Sequence, residues 1–284
     1  MLSEALALVT SITNALGVVL AAKGMKSVSS PSVATFYSVL VQAAILTAIS
    51  LTRLSILNWV ALTYFAVGGI LSFGLARLLY FVSTRRIGVA RASAIVGSNP
   101  VLTALLSIII LAEVPLVSLF AGATFVAAGV FLISGGKNFR LEKAFIVGVF
   151  SALSYSMSYI VTKMGLMIEA DPILSAEVET LAGLLFIFSY IIVTGEHKRL
   201  KIDRFSLSCF SATGFVSTLG WIALMKAFEI GVVSVVTTIV WSYPLFTLLL
   251  SRPLLKDEKL DMRIVVGSIL VVVGVAVVTL FRLV

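Results

Sequence analysis

Apolar residues along this chain come in blocks of about 20, the length one helix needs to cross a bilayer, with short stretches of charge, Pro or Gly between them. The blocks lie near 3–22, 32–51, 57–83, 89–112, 115–134, 143–165, 172–194, 205–227, 231–251 and 263–282. They are too long for strands and lack the polar face of a helix lying on a soluble core. The pattern predicts an all-α membrane protein with ten transmembrane helices. Spans of this size leave fewer than ten residues for each link or tail, so no separate soluble domain fits. The first block follows MLSE, which has no Lys or Arg, and shows no clear cleavage site, so it reads as a retained span rather than a signal peptide.

Composition agrees: 60% of the 284 residues are hydrophobic and 12% charged, against about 45–50% and about 25% in soluble domains. One cysteine, Cys209, and one histidine, His197, offer neither a disulfide framework nor a metal cluster. No cofactor, metal site or enzymatic centre is expected. The basic residues report orientation. Links after the odd-numbered spans hold sixteen, among them Lys23 and Lys26, Arg85, Arg86 and Arg91, and Lys256 and Lys259; the opposite side holds four, Arg53, Lys163, Lys226 and Arg282. Cytoplasmic links carry the excess, so both termini are expected outside the cytoplasm of a cell membrane. The net charge of +8 is then a topology signal and a match to anionic membrane lipid. Its dispersal over five short links argues against a nucleic-acid partner.

The chain also repeats. SITNALGVVLAAKGM in the first span faces SALSYSMSYIVTKMG in the sixth, pairing Ser11 with Ser151, Asn14 with Ser154 and Lys23 with Lys163. Pro31 and Pro172 open the second and seventh spans, where a first-turn proline loses only an orphan amide. Gly88 pairs with Gly231, Pro100 with Pro244, and Glu113 with Glu258, and the fifth and tenth spans carry Gly122/Gly129 and Gly267/Gly274. Each unit has five spans, an odd number, so the second enters the membrane from the opposite side. The expected domains are residues 1–135 and 143–283, two inverted five-helix repeats, an architecture recurrent among secondary transporters.

In these features the chain resembles the drug/metabolite transporter superfamily, specifically its EamA-type ten-helix branch. The resemblance rests on the Lys ending the first and sixth spans, the helix-opening prolines, and the runs NPVLTALLSIIILAEVPLVSLFAGATFVAAGVFLI and YPLFTLLLSRPLLKDEKLDMRIVVGSILVVVGVAVV. It implies a small-molecule carrier whose central cavity is lined mainly by the first, third, fourth, sixth, eighth and ninth spans, with the fifth and tenth as support. It implies no particular substrate. Members often carry an Arg seven residues after each helix-opening proline; here Ser38 and Glu179 stand there, so an anion-binding role at those positions does not carry over.

Few polar residues interrupt the spans. Arg77 either faces a cavity, with Gly74 and Tyr80 on nearly the same helical face, or snorkels toward the inner interface about 12 Å away. Glu177 and Glu179 point about 200° apart, so one is expected to face the cavity and take up a proton and the other to face the headgroups; a solvated pair at a helix end is the alternative. Pro100 and Pro244 free the carbonyls of Val96 and Val240 and are candidate hinges, flanked by Asn99, Trp241 and Tyr243. Ser151, Ser154, Tyr155, Ser158, Tyr159 and Thr162 form one stripe, either a cavity wall or a line of interhelical hydrogen bonds. Lys23 and Lys163 suit helix-end carbonyls or lipid heads, with a gate as the second reading. The glycine pairs, Glu113 and Glu258 read as structural.

The sequence thus predicts a secondary active transporter of a small polar or amphipathic metabolite, amino-acid-like by preference, working by alternating access. The expected substrate-binding residues are Asn14, Arg77, Tyr80, Asn99, Ser154, Tyr155, Tyr159, Trp241 and Tyr243, with proton coupling at Glu177 or Glu179. The partners are substrate and lipid, in a monomer or homodimer. A multidrug or lipid-intermediate exporter is the alternative, and a non-transporting receptor or scaffold a more distant one.

Overall fold

A computed structural model describes residues 2–28, 30–52, 58–110, 121–122, 124–126, 128–129, 132, 143–200, 202–231, 233–255 and 261–280. In chain order the elements are α1 (Leu2–Gly24), α2 (Pro31–Ser50), α3 (Trp59–Gly69), a π-helical segment (Ile70–Ala76) running directly into α4 (Arg77–Ile87), α5 (Val89–Val96) and α6 (Asn99–Ile110). After these come α7 (Lys143–Ile168), α8 (Pro172–Val193), a 3₁₀ turn (Glu196–Arg199), α9 (Arg204–Ile230), α10 (Val233–Val240), α11 (Tyr243–Leu254) and α12 (Met262–Leu280). Every regular element among the described residues is helical. Among the described residues seven stretches are long and apolar enough to cross a membrane, including Trp59–Ile87, which holds α3, the π segment and α4, and Val89–Ile110, which holds α5 and α6. Most of the predicted span 115–134, with Glu113 and Glu258, lies outside the described residues.

Several helices outrun their apolar blocks, reaching Ile87, Ile168 and Ile230. Backbone bonding continues into the headgroup layer as long as the ends are satisfied. Asp171 accepts from the amides of Ile173 and Leu174 at 3.0 and 3.1 Å ahead of Pro172. Asn58 does the same for Val60 and Ala61 at the start of α3. Asp203 caps α9, and hydrogen bonds from Ser206 hold its carboxyl below the ordinary value. Ser30 and Ser32, at the start of α2, both donate to the Glu196 carboxylate beyond α8.

The sequence repeat recurs in the packing. α1 lies along α9 as α7 lies along α3, the π segment and α4, and α1 meets α10 and α11 as α7 meets α5 and α6. Gly69 and Gly214 each lie against the backbone of a neighbouring helix. A Cβ on Gly69 would sit 2.0 Å from the Glu179 carbonyl oxygen, and one on Gly214 would sit 2.5 Å from that of Ser38. Ser38 and Glu179 are the matching positions after Pro31 and Pro172, so one helix crossing is used twice. A Cβ on Gly129 would meet the Gly267 carbonyl at 2.5 Å and one on Gly274 the Gly122 carbonyl at 2.6 Å. The paired glycines are therefore packing positions, as their spacing predicts.

The prolines interrupt their spans more completely than a kink. α5 ends at Val96, Gly97 and Ser98 form a turn, and α6 restarts at Asn99 with Pro100 second. α10 ends at Val240, Trp241 and Ser242 turn, and α11 restarts at Tyr243 with Pro244 second. Matching bonds hold both turns: Ser98 N to Ile95 O at 3.1 Å and Ser242 N to Ile239 O at 3.2 Å. Proline is suited to the first turn of a new helix, where no amide is required.

Candidate functional site

Between the two halves lies a narrow cavity lined from both. Asn14, Gly17 and Val18 of α1 form one wall, and Thr213, Ser217 and Trp221 of α9 the next. Phe73, Arg77, Tyr80 and Phe81 come from the π segment and α4, Tyr155 and Tyr159 from α7, and Trp241 and Tyr243 from the break before α11. The lining is thus an aromatic box with one guanidinium and a few hydroxyl and amide groups.

Arg77 faces the cavity. Its Nη2 donates to Ser217 Oγ at 2.8 Å and its Nη1 to Gln42 Oε1 at 3.3 Å, and the guanidinium lies 5.0 Å from the Phe73 ring centroid. These partners are neutral, so the charge sits at midspan with no carboxylate among the described residues in contact. Phe73 and Arg77, four residues apart, share one face as they would in an α-helix; the wider turns of the π segment show at a residue between them. Gly74 turns away: a Cβ there would meet Phe186 of α8 at 2.6 Å. That corrects the expected alignment of Gly74 with Arg77, which assumed 3.6 residues per turn.

Serines of α7 support the irregular turn. Ser158 donates to Gly68 O at 2.9 Å, Ser154 to Leu71 O at 2.8 Å and Ser151 to Ala76 O at 2.8 Å. Side-chain donors of this kind make irregular backbone tolerable inside a membrane. The predicted stripe on the sixth span therefore divides, with the serines facing the π segment and Tyr155 and Tyr159 facing the cavity. Ser154, expected as a substrate residue, is a backbone support instead.

Asn99 is also relocated. It is fully buried, its Nδ2 donating to Ala152 O and Ser156 Oγ, both at 2.8 Å, and its Oδ1 accepting from Thr103 at 3.1 Å. It ties α6 to α7 and does not line the cavity. The repeat makes Gly97 and Asn99 the counterparts of Trp241 and Tyr243, yet only the second pair projects into the cavity. A Cβ on Gly97 would strike the Pro244 ring at 2.7 Å, so a large side chain has no room there. On the second side, Tyr243 donates to Tyr80 Oη at 3.1 Å, and the Tyr80 and Ser93 hydroxyls lie 2.6 Å apart. Trp241 is 3% exposed, and its indole nitrogen has no partner in hydrogen-bonding geometry.

The two glutamates separate clearly. Glu177 is partly exposed, whereas Glu179 is fully buried. The Glu179 carboxylate accepts from Trp221 Nε1 at 3.0 Å and from Thr162 Oγ1. Trp221 thus touches the cavity with its ring and Glu179 with its N–H. The spacing of apolar residues gives no sign of Phe73, Thr213, Ser217 or Trp221 as lining residues, or of Gln42 as the partner of Arg77. The polar positions of the eighth span, Thr213 and Ser217 four residues apart, were the one available signal. Among the described residues no group of His, Cys, Asp and Glu is placed to hold a metal.

A multi-pass helical membrane protein with a polar-aromatic cavity enclosed between two similar halves falls in the class of membrane transporters of small molecules. The chain belongs to the EamA-like transporter family, whose model matches residues 1–135 and again 142–280. That family is generally non-enzymatic. A search of curated proteins finds no match. Among solved structures, one crystal structure superposes with a TM-score of 0.71 at 18% identity, over 97% of this chain and 96% of the other. At that identity the likeness is one of fold alone.

Proposed function

We propose that the protein is a secondary active transporter that moves a small zwitterionic or carboxylate-bearing metabolite, amino-acid-like in size, across the cell membrane by alternating access. The observation that carries this reading is Arg77, a guanidinium on the cavity wall whose contacts are Gln42, Ser217 and Phe73, none of them an anion. A charge held at midspan is costly and marks a substrate or ion path; a carboxylate on the substrate neutralises it. Trp241 offers its indole ring, and the rings of Tyr155, Tyr159 and Tyr243 suit an amine or an apolar side chain. Asn14 and Tyr80 complete the proposed substrate set.

In this reading the chain crosses the membrane ten times as two inverted repeats over 1–135 and 143–283, with both termini outside the cytoplasm. The odd number of spans per repeat and the bias of basic residues support that topology. Pro100 and Pro244 serve as hinges, since each opens a helix directly after a two-residue turn. Glu179 is the proton-coupling carboxylate: it is fully buried, and its hydrogen-bond donors are neutral. Glu177, partly exposed, faces the headgroups. The working unit in this reading is a monomer or a homodimer. Counterflow in proteoliposomes tests the proposal. Internal unlabelled amino acids are expected to draw in their labelled counterparts, and binding without exchange across a broad metabolite panel would refute transport.

A further inference from the structure

Lys163 and Lys23 occupy matching positions at the ends of α7 and α1, and the structure treats them differently. Lys163 Nζ donates to the carbonyl oxygen of Phe228 at 2.9 Å. That carbonyl lies in the last turn of α9, which ends at Ile230, where carbonyls lack intrahelical donors and the helix dipole favours a cation. Phe228 itself is fully buried, 5.5 Å from the Tyr159 ring in an edge-on contact. At this end α7 and α9 are tied together beside Tyr159, a residue of the cavity wall.

The repeat pairs Gly231 with Gly88, so Phe228, three residues earlier, corresponds to Arg85 in the last turn of α4. The matching closure would place the Lys23 ammonium on the Arg85 carbonyl. Instead Lys23 lies over the Phe205 ring, 5.8 Å from its centroid. Between the two positions is an open crevice, with Ala22, Met25 and Lys26 on one side and Thr84, Arg85 and Gly88 on the other. Thr84, 4% exposed, lines it with a hydroxyl that has no hydrogen-bond partner. One end of the α1/α4 and α7/α9 arrangement is locked and the other is not.

We propose that Lys163 and Lys23 are reciprocal locks: in the alternate state Lys163 leaves the Phe228 carbonyl and Lys23 closes on the last-turn carbonyls of α4 at Arg85. Each lysine thereby stabilises one of the two access states, and the chain as described is the state open on the Lys23 side. The inference rests on the transporter reading above, but its test needs no substrate.

Two reporter thiols at matching positions, Thr84→Cys in the crevice and Ala227→Cys beside Phe228, are placed singly in a Cys209→Ala background in nanodiscs. Their rates of reaction with a water-soluble maleimide are compared. Thr84→Cys is expected to react faster. Adding Lys163→Met is expected to raise the Ala227→Cys rate and lower the Thr84→Cys rate, changing their ratio about tenfold, as for one charge-assisted hydrogen bond lost from one of two states. Lys23→Met is expected to move the ratio the other way, and Lys163→Arg to restore it. A ratio unchanged by either methionine variant, with folding intact by size-exclusion chromatography, overturns the locks. In sealed vesicles, labelling of Thr84→Cys from the opposite face would instead overturn the topology and leave the locks standing. Failure of counterflow alone would count against transport, not against the exchange of states.

Discussion

Replacing Arg77 with Ala is the sharpest test of the cavity's chemistry. The guanidinium has five N–H donors and spends one on Ser217 at 2.8 Å and one on Gln42 at 3.3 Å, which leaves three for a ligand. A hydrogen bond to a charged group contributes about 1.5–3 kcal/mol net, so losing one costs roughly 10- to 150-fold in affinity, at about 1.4 kcal/mol per tenfold. The substitution also removes the partner of Gln42, which is fully buried, so the variant should melt at a lower temperature as well. Arg77→Lys keeps the charge but cannot span Gln42 and Ser217 while presenting a fork, and an intermediate loss is expected. The decisive assay separates substrate contact from general damage. Binding of an amino-acid substrate and of its decarboxylated amine is measured in wild type and in Arg77→Ala, as a double-mutant cycle. Wild type should prefer the carboxylate-bearing ligand by at least about tenfold, and the variant should not discriminate. If the ratio is the same in both proteins, Arg77 does not hold the substrate carboxylate.

Glu179→Gln should abolish accumulation driven by a pH gradient, worth about tenfold per pH unit for one proton, while leaving counterflow intact; Glu177→Gln should change neither, and pH-driven uptake that survives Glu179→Gln would exclude that residue. Gly69→Ala places a Cβ 2.0 Å from backbone oxygen, and overpacking of this kind costs about 1–3 kcal/mol or more, read as a lower melting temperature. Gly17→Ala meets Ser217 Oγ at only 3.4 Å, so it should fold normally and lose affinity chiefly for bulky ligands, as competition binding would report. Asn99→Leu should cost stability, about 1–3 kcal/mol for each buried group left unpaired, without altering ligand preference; a changed substrate profile would return Asn99 to the binding site. Because Asp203 is held below its ordinary value by Ser206, its cap is fully present above about pH 4 and is lost as pH falls through the folded value; Asp203→Asn should remove that acid-side loss in a pH series of thermal melts.

Much of the molecule was legible before any coordinates. Block length and composition act locally: a run of about 20 apolar residues is stable only in lipid or a protein core, whatever its neighbours do. Equivalence of positions between the halves was readable too, because the paired residues Gly129 and Gly274, or Pro100 and Pro244, meet the same backbone demand twice. Rarity alone marked Arg77, and the tyrosines Tyr80, Tyr155, Tyr159 and Tyr243 stood out as polar tips on apolar bodies.

Which way those residues face was a different matter, and only the tertiary structure decided it. Residues 70–76 form a π segment because Ser151, Ser154 and Ser158 of another helix donate to carbonyls in and beside it, and nothing in ILSFGLA announces that. The added turn width turns Gly74 away from the cavity to Phe186. Asn99 and Tyr243 are equivalent in sequence, yet one is consumed by Ala152 and Ser156 while the other reaches the cavity. Glu177 and Glu179 are equally acidic, and only the positions of Thr162 and Trp221 separate them. Sequence fixes what a segment must bury, through its own surface. The partner for each polar group depends on helix phase and on residues a hundred positions away, and that is settled only when the helices pack.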